Sequence, residues 1–394
     1  MSSRSFFLGG IAVALASWVS LAAQAKPTPP TLADLETRAR QDSNDANAHY
    51  ALALRYWDLN RYDDVHHELT QAIAVDPHDA QAFFALSYLP YARRPKLWKE
   101  ELKGKVPQEW RAAVDSAEHL SHKAVILDPF VDFRVAGTEP PPEGMYVITD
   151  YGDYTTSYLI WLGIDAFAYE RYELSYAALQ HFVDRSYKGK PIDSLPDYLL
   201  WYRGLDAAHL AIWPDAITNF QVLLGRGLKQ EQTDSLIQIP LGTNDVRYIL
   251  ALVEQRAGRP ADAMNLLKET IANDLGLYMA HVHLAELYEQ YQMWTEAIAE
   301  RHRAIEANPD DPTLTRDLGA TLLHAGRATE AEPVLHQAMD ANPRDPSAPY
   351  TLGVLEQELN KPVDARAALT RFLAMAPSKD IRIADARDRL AKLP

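Results

Sequence analysis

Small residues return every 34 positions through the second half of this chain, at Ala251, Ala285, Gly319 and Gly353. A leucine precedes each of them (Leu250, Leu284, Leu318, Leu352), and an alanine follows twelve residues later at Ala263, Ala297, Ala331 and Ala365. Pro309, Pro343 and Pro377 close three of the units in the same register. A fixed period of this length marks a stack of supersecondary units, each unable to bury its apolar face alone. Within one unit the spacing predicts two amphipathic helices. Where they cross, only Gly, Ala or Ser lets the axes approach, so small residues fall at the eighth and twentieth positions. Larger residues at positions seven, eleven and twenty-four fill the space around the crossing. Proline near position 32 cannot continue the second helix and so starts the next unit.

The pattern resembles the tetratricopeptide repeat. In the first unit Leu52, Ala53, Tyr56, Leu69, Ala72 and Pro77 match its spacing, with Val65 in place of the usual alanine. Units start near 46, 244, 278, 312 and 346. Others start near 156 (Leu162, Gly163, Tyr172, Leu179) and near 197 (Gly204, Trp213, Ala216, Phe220). A further unit places helices at 80–89 and 109–127, closed by Asp128-Pro129 as Asp76-Pro77 closes the first. The resemblance implies an all-α fold, a right-handed α-solenoid of antiparallel helix pairs with irregular loop insertions. An extra helix is expected over 32–43. A capping helix is expected over 380–394, with Ile381, Ala384, Leu390 and Leu393 inward.

The N-terminus reads as a secretory signal. Arg4 precedes an apolar run from Phe6 to Leu21, and Ala23 and Ala25 give an Ala-x-Ala cleavage pattern. Cleavage after Ala25 leaves the leader Lys26-Pro27-Thr28-Pro29-Pro30; the alternative is an uncleaved anchor. The organisation expected is therefore a signal over 1–25, a leader and extra helix over 26–44, and an irregular block over 45–224 with insertions at 90–108 and 130–154. A linker over 225–243, four regular units over 244–379 and the cap complete it. The expected location is periplasmic or secreted, of Gram-negative type.

Composition excludes more than it names. The chain has no cysteine, which removes disulfides, thiolate metal sites and thiol nucleophiles. A formal charge of −15, or −16 once Arg4 is removed, repels phosphate backbones and anionic membranes. Against that background the first insertion stands out: Arg93, Arg94, Lys96, Lys99, Lys103 and Lys105 face only Glu100 and Glu101. It is either a solvated loop or a docking element for an anionic partner or for the protein's own acidic body. The second insertion carries Gly137 to Gly144 with three prolines, then the aromatic, β-favouring stretch from Met145.

In the resembled family, positions two, five, nine, twelve and thirteen of the first helix line a concave groove. Carried over, position five gives Tyr50, Phe84, Trp201, Tyr248, Arg316 and Tyr350 among its residues; Tyr88 stands at position nine, and Trp57 and Phe167 at position twelve. These aromatics either pack neighbouring helices or form a surface for apolar side chains or sugar rings. The Lys and Asn that hold a terminal carboxylate in chaperone-binding relatives are absent from positions five and nine. Catalytic signals are weak. Glu118-His119-x-x-His122 lacks the zincin spacing, Gly225-Arg226-Gly227 lacks the phosphate-loop lysine, and Asp310-Asp311 sits where a helix cap is needed. No cofactor or metal is expected. The readings in play are an adaptor binding a protein segment, a carbohydrate-binding module, and, more distantly, an enzyme with its site under the 130–154 loop.

Overall fold

The computed structural model describes residues 30–93, 108–131, 154–168, 170–228 and 242–394. The signal segment, Arg94, Lys96, Lys99 and most of the stretches 130–154 and 225–243 lie outside the described residues. Apart from one short 3-10 turn, every regular element among the described residues is an α-helix. Helix α1 (Leu32–Gln41) leads into α2 (Ala46–Asp58) and α3 (Tyr62–Val75), and α4 (Ala80–Arg93) pairs with α5 (Gln108–Leu127). Next come α6 (Tyr154–Ala168) with α7 (Tyr172–Ser186), and α8 (Asp197–His209) with α9 (Trp213–Leu228). The regular half holds α10 (Thr243–Arg256) with α11 (Pro260–Asn273), and α12 (Tyr278–Gln290) with α13 (Trp294–Ala307). It continues with α14 (Pro312–His324) and α15 (Ala328–Ala341), then α16 (Ser347–Glu358) and α17 (Pro362–Met375), and ends in α18 (Ile383–Lys392). Neighbours in sequence pack as antiparallel pairs stacked in a row, which is an α-solenoid.

Local chemistry sets the ends. Thr31 and Asp34 form a reciprocal capping box on α1, and Asp45 and Asp311 accept the backbone N–H two residues on. Prolines 260, 312 and 362 occupy first-turn positions, where a missing N–H costs nothing. Between the helices of each regular unit one residue adopts the left-handed conformation: Gly258, Gln292, Gly326 and Asn360, again 34 apart. The next residue's N–H then reaches back to a carbonyl five residues earlier, as in Arg327 N to Leu322 O at 2.8 Å and Lys361 N to Glu356 O at 2.8 Å.

The crossings are as tight as the spacing predicts. Ala251, Ala285, Ala263, Ala297, Ala331 and Ala365 are fully buried. A Cβ on Gly319 would lie 2.6 Å from Leu335 Cδ2, and one on Gly353 2.6 Å from Leu369 Cγ. The expected phase of the capping helix needs correction. Ile381 is 92% exposed and Ala384 is exposed, while Ala386 is buried, with Ile383, Leu390 and Leu393 packed beside it. The helix begins only at Ile383, so Ile381 belongs to the preceding turn and the inward stripe runs 383, 386, 390, 393.

Candidate interaction surface

Most of the aromatic groove residues read from the sequence are buried. Trp57, Phe84, Phe167, Trp201 and Tyr248 are all buried, Tyr50, Arg316 and Tyr350 are half-buried, and Tyr88 is exposed. Their rings meet other rings of the same chain: Trp57 with Tyr62, Phe84 with Tyr88, Phe167 with Tyr172 and Tyr202, Trp201 edge-on to Phe220, and Tyr350 with Phe372.

The N-terminal repeats fold back onto the C-terminal ones, and this covers the middle of the groove. The Tyr248 hydroxyl donates to the Ile126 carbonyl at 2.9 Å, and the Arg256 guanidinium lies 4.0 Å from the Phe130 ring centre. Further along, His78 pairs with Asp311 (2.7 Å) and meets the Thr313 hydroxyl (3.0 Å). At the far end Arg344 donates to the Ser43 carbonyl, Asn44 and Gln71, and Ser378 donates to Asp42. The inter-repeat turns at 42–45, 76–79 and 128–131 thus seat against successive C-terminal units. As a result every residue of α10 from Val246 to Glu254 is buried, and eight residues of α12 are. Burial alone would raise Asp311, but hydrogen bonds and charge from His78, with the Thr313 donors, hold it below its ordinary value.

Two comparisons bear on identity. The tetratricopeptide repeat description matches residues 322–392, and a second form of it matches 50–94 and 292–346. The chain carries tetratricopeptide repeats over residues 50–94 and 292–392. Among solved structures it is similar to "Crystal structure of MamA" (18% identity, 45% of this chain and 95% of that chain, TM-score 0.38). It is also similar to "MamA RS-1 ArsTM double mutant" (13% identity, 47% and 97%, TM-score 0.39). No curated protein matches the chain. Tetratricopeptide arrays bind protein partners and are generally not catalysts, so the chain is at base a protein-interaction scaffold.

What the tetratricopeptide groove still offers lies at its C-terminal end. On α14 and α16 the residues at positions five and nine, Arg316, Ala320, Tyr350 and Val354, keep part of their surface exposed. Arg316 is held by Asp317 (2.7 Å) and Asp345 (3.0 Å); their charges raise its pKa although burial opposes the charged form. Behind it Arg301 donates twice to Glu289 (3.0 and 2.9 Å), which also accepts from Thr321 (2.6 Å). The sequence reading singled out only Arg316 from this polar tier. Its legible signal in the sequence is the acids Glu286 at position nine, where the other units carry apolar or aromatic residues, and Glu289 at position twelve, where none of the others carries a charge.

Of the basic docking candidates, Arg93 is described. It donates to the Tyr62 carbonyl (3.0 Å) and to Asp63 (2.9 Å), so it is paired with the protein's own acidic surface.

Proposed function

We propose that this scaffold is exported to a Gram-negative periplasm, loses residues 1–25 there, and grips a segment of a partner protein in an envelope assembly. The observation that supports the reading most is the uneven covering of the groove. Own-chain turns occupy it over α10 and α12, while α14 and α16 present a mixed surface of Arg316, Ala320, Tyr350, Val354 and Gln357 that remains partly accessible. Apolar patches flanked by fixed charges suit a peptide, with a few buried anchors supplying the affinity. Sugar stacking needs an exposed ring face, and Phe84, Phe167, Trp201 and Tyr248 have none to offer. That favours protein over carbohydrate.

Two measurements test this. N-terminal sequencing of the protein recovered from the periplasm should begin at Lys26; an intact Met1 chain held in the membrane fraction would count against export with cleavage. Pull-down from the native envelope should retain a discrete protein with the wild-type chain and lose it with Val354→Arg. Capture that is equal for both would place the partner elsewhere.

A further inference from the structure

The eleventh position of a unit lies beside the helix crossing and takes a large apolar or aromatic side chain in Tyr56 of the first unit, Tyr288 of the one starting at 278 and Leu322 of the one starting at 312. Two units carry a glutamate there instead, Glu254 and Glu356, and both are buried, at 2% and 3% exposure. A carboxylate in an apolar crossing costs free energy unless something answers it. The Glu254 Oε2 has no hydrogen-bond donor, but the Arg259 Nε lies 3.2 Å away as an ion pair. Glu356 faces different company. Glu332 and His336, four apart and so on one face of α15, bring their ligand atoms to it, all within 4.8 Å of one another. The Glu356 Oε2 is buried without a hydrogen-bond donor, and the nearby Lys361 ammonium is engaged with Glu332.

We propose that Glu332, His336 and Glu356 form a divalent transition-metal site that joins the third and fourth regular repeats across the α15–α16 interface. The two carboxylates repel each other, with the one nearby ammonium, Lys361, held on Glu332, and a dication bound between them and the imidazole turns that repulsion into attraction. One nitrogen and two oxygens, with no thiolate in the chain and no thioether in the set, fit zinc, cobalt, nickel, manganese or iron(II) rather than copper(I). Ligand bonds of roughly 2.0–2.2 Å require the three side chains to draw in slightly, which the long Glu332 and the exposed His336 can follow. Three protein ligands leave a position open for water or for a side chain of a partner.

The test is calorimetric titration of zinc chloride into the untagged, chelator-stripped mature chain, repeated with Glu356→Gln, His336→Ala and His119→Ala. The glutamine keeps the shape and removes a buried charge, so folding is preserved and is checked by circular dichroism. One saturable site is expected in the wild type, weakened by roughly tenfold or more in Glu356→Gln and His336→Ala and unchanged in His119→Ala. A Glu356→Gln chain that binds zinc as the wild type does, or a wild type with no saturable site, overturns the proposal.

Discussion

Tyr248 and Tyr350 hold the same place in the repeat, three units apart, and meet different fates. Tyr248 on α10 has no exposed surface and donates to a carbonyl 122 residues earlier in the chain. Tyr350 on α16 is half-buried and donates to Asp385 on the capping helix at 2.7 Å. Both helices pack their own partner in the same way, with small residues at the crossing. What differs is the second face. On α10 it carries the end of α5 and the turn after it; on α16 it meets the array's end. The period governs what a helix pair does with its own core, and long-range folding governs which remaining surface stays free.

The largest test of that difference is truncation. Tyr248→Ala removes a fully buried ring and leaves the Ile126 carbonyl without its donor, so a loss of about 3–5 kcal/mol is expected. Tyr350→Ala should cost roughly 1–2 kcal/mol, because water reaches the site. Urea unfolding monitored by circular dichroism gives both values. Equal losses would mean that the N-terminal repeats do not cover α10 in solution.

Charge offers a second contrast, because a buried acid, Asp206, and an acid at the array's end, Asp385, titrate with opposite sign. Asp206 on α8 has no exposed surface; burial pushes it up to about 8, against the Ser175 hydroxyl and Arg203. The native state therefore keeps that proton longer than the unfolded chain. The stability it contributes is complete below pH 3.8 and is lost as pH rises through about 8. Asp385 on α18 is lowered, by the Tyr350 hydroxyl first and then Arg389. Its contribution is present above the ordinary carboxylate range and is lost on acidification. Asp206→Asn should consequently stabilise the protein at pH 8, by roughly 2 kcal/mol, with the gain closing near pH 4. Asp385→Asn should produce a small loss at neutral pH that vanishes in acid. Thermal unfolding across pH 3–9 separates them, and parallel slopes for the two variants would refute the assignment.

The sequence made the fold legible because the features that fix it are local and periodic. Gly319 and Gly353 announce a close crossing wherever they stand, since Leu335 and Leu369 occupy the space a Cβ would need. The left-handed turns were half visible: Gly258, Gly326 and Asn360 suit the conformation, whereas Glu170, Ala211 and Gln292 adopt it under the pull of the repeat around them. The candidate surface was much less legible. Position five names the side of a helix and says nothing of what lies across from it. The contacts that decide exposure join Ile126 to Tyr248 and His78 to Asp311, pairs with no shared motif. Paired acids could be seen in the sequence, but Glu356 becomes a point of interest only once Glu332 and His336 are found beside it.

The smallest effect expected lies at the free end of the contact between the two halves, where binding is polar. Arg344 alone reaches the Ser43 carbonyl, Asn44 and Gln71, and it does so while partly exposed to water. Around Ile126 and Phe130 the same contact is apolar and buried. A junction that is greasy at one end and hydrogen-bonded at the other should open from the polar end. Arg344→Ala should therefore cost only about 1 kcal/mol of global stability. It should still speed amide exchange over 42–75 while leaving α10 protected. Hydrogen exchange read by mass spectrometry resolves those segments. If α10 loses protection in step with 42–75, the two halves separate as one unit, and the apolar end contributes no independent hold.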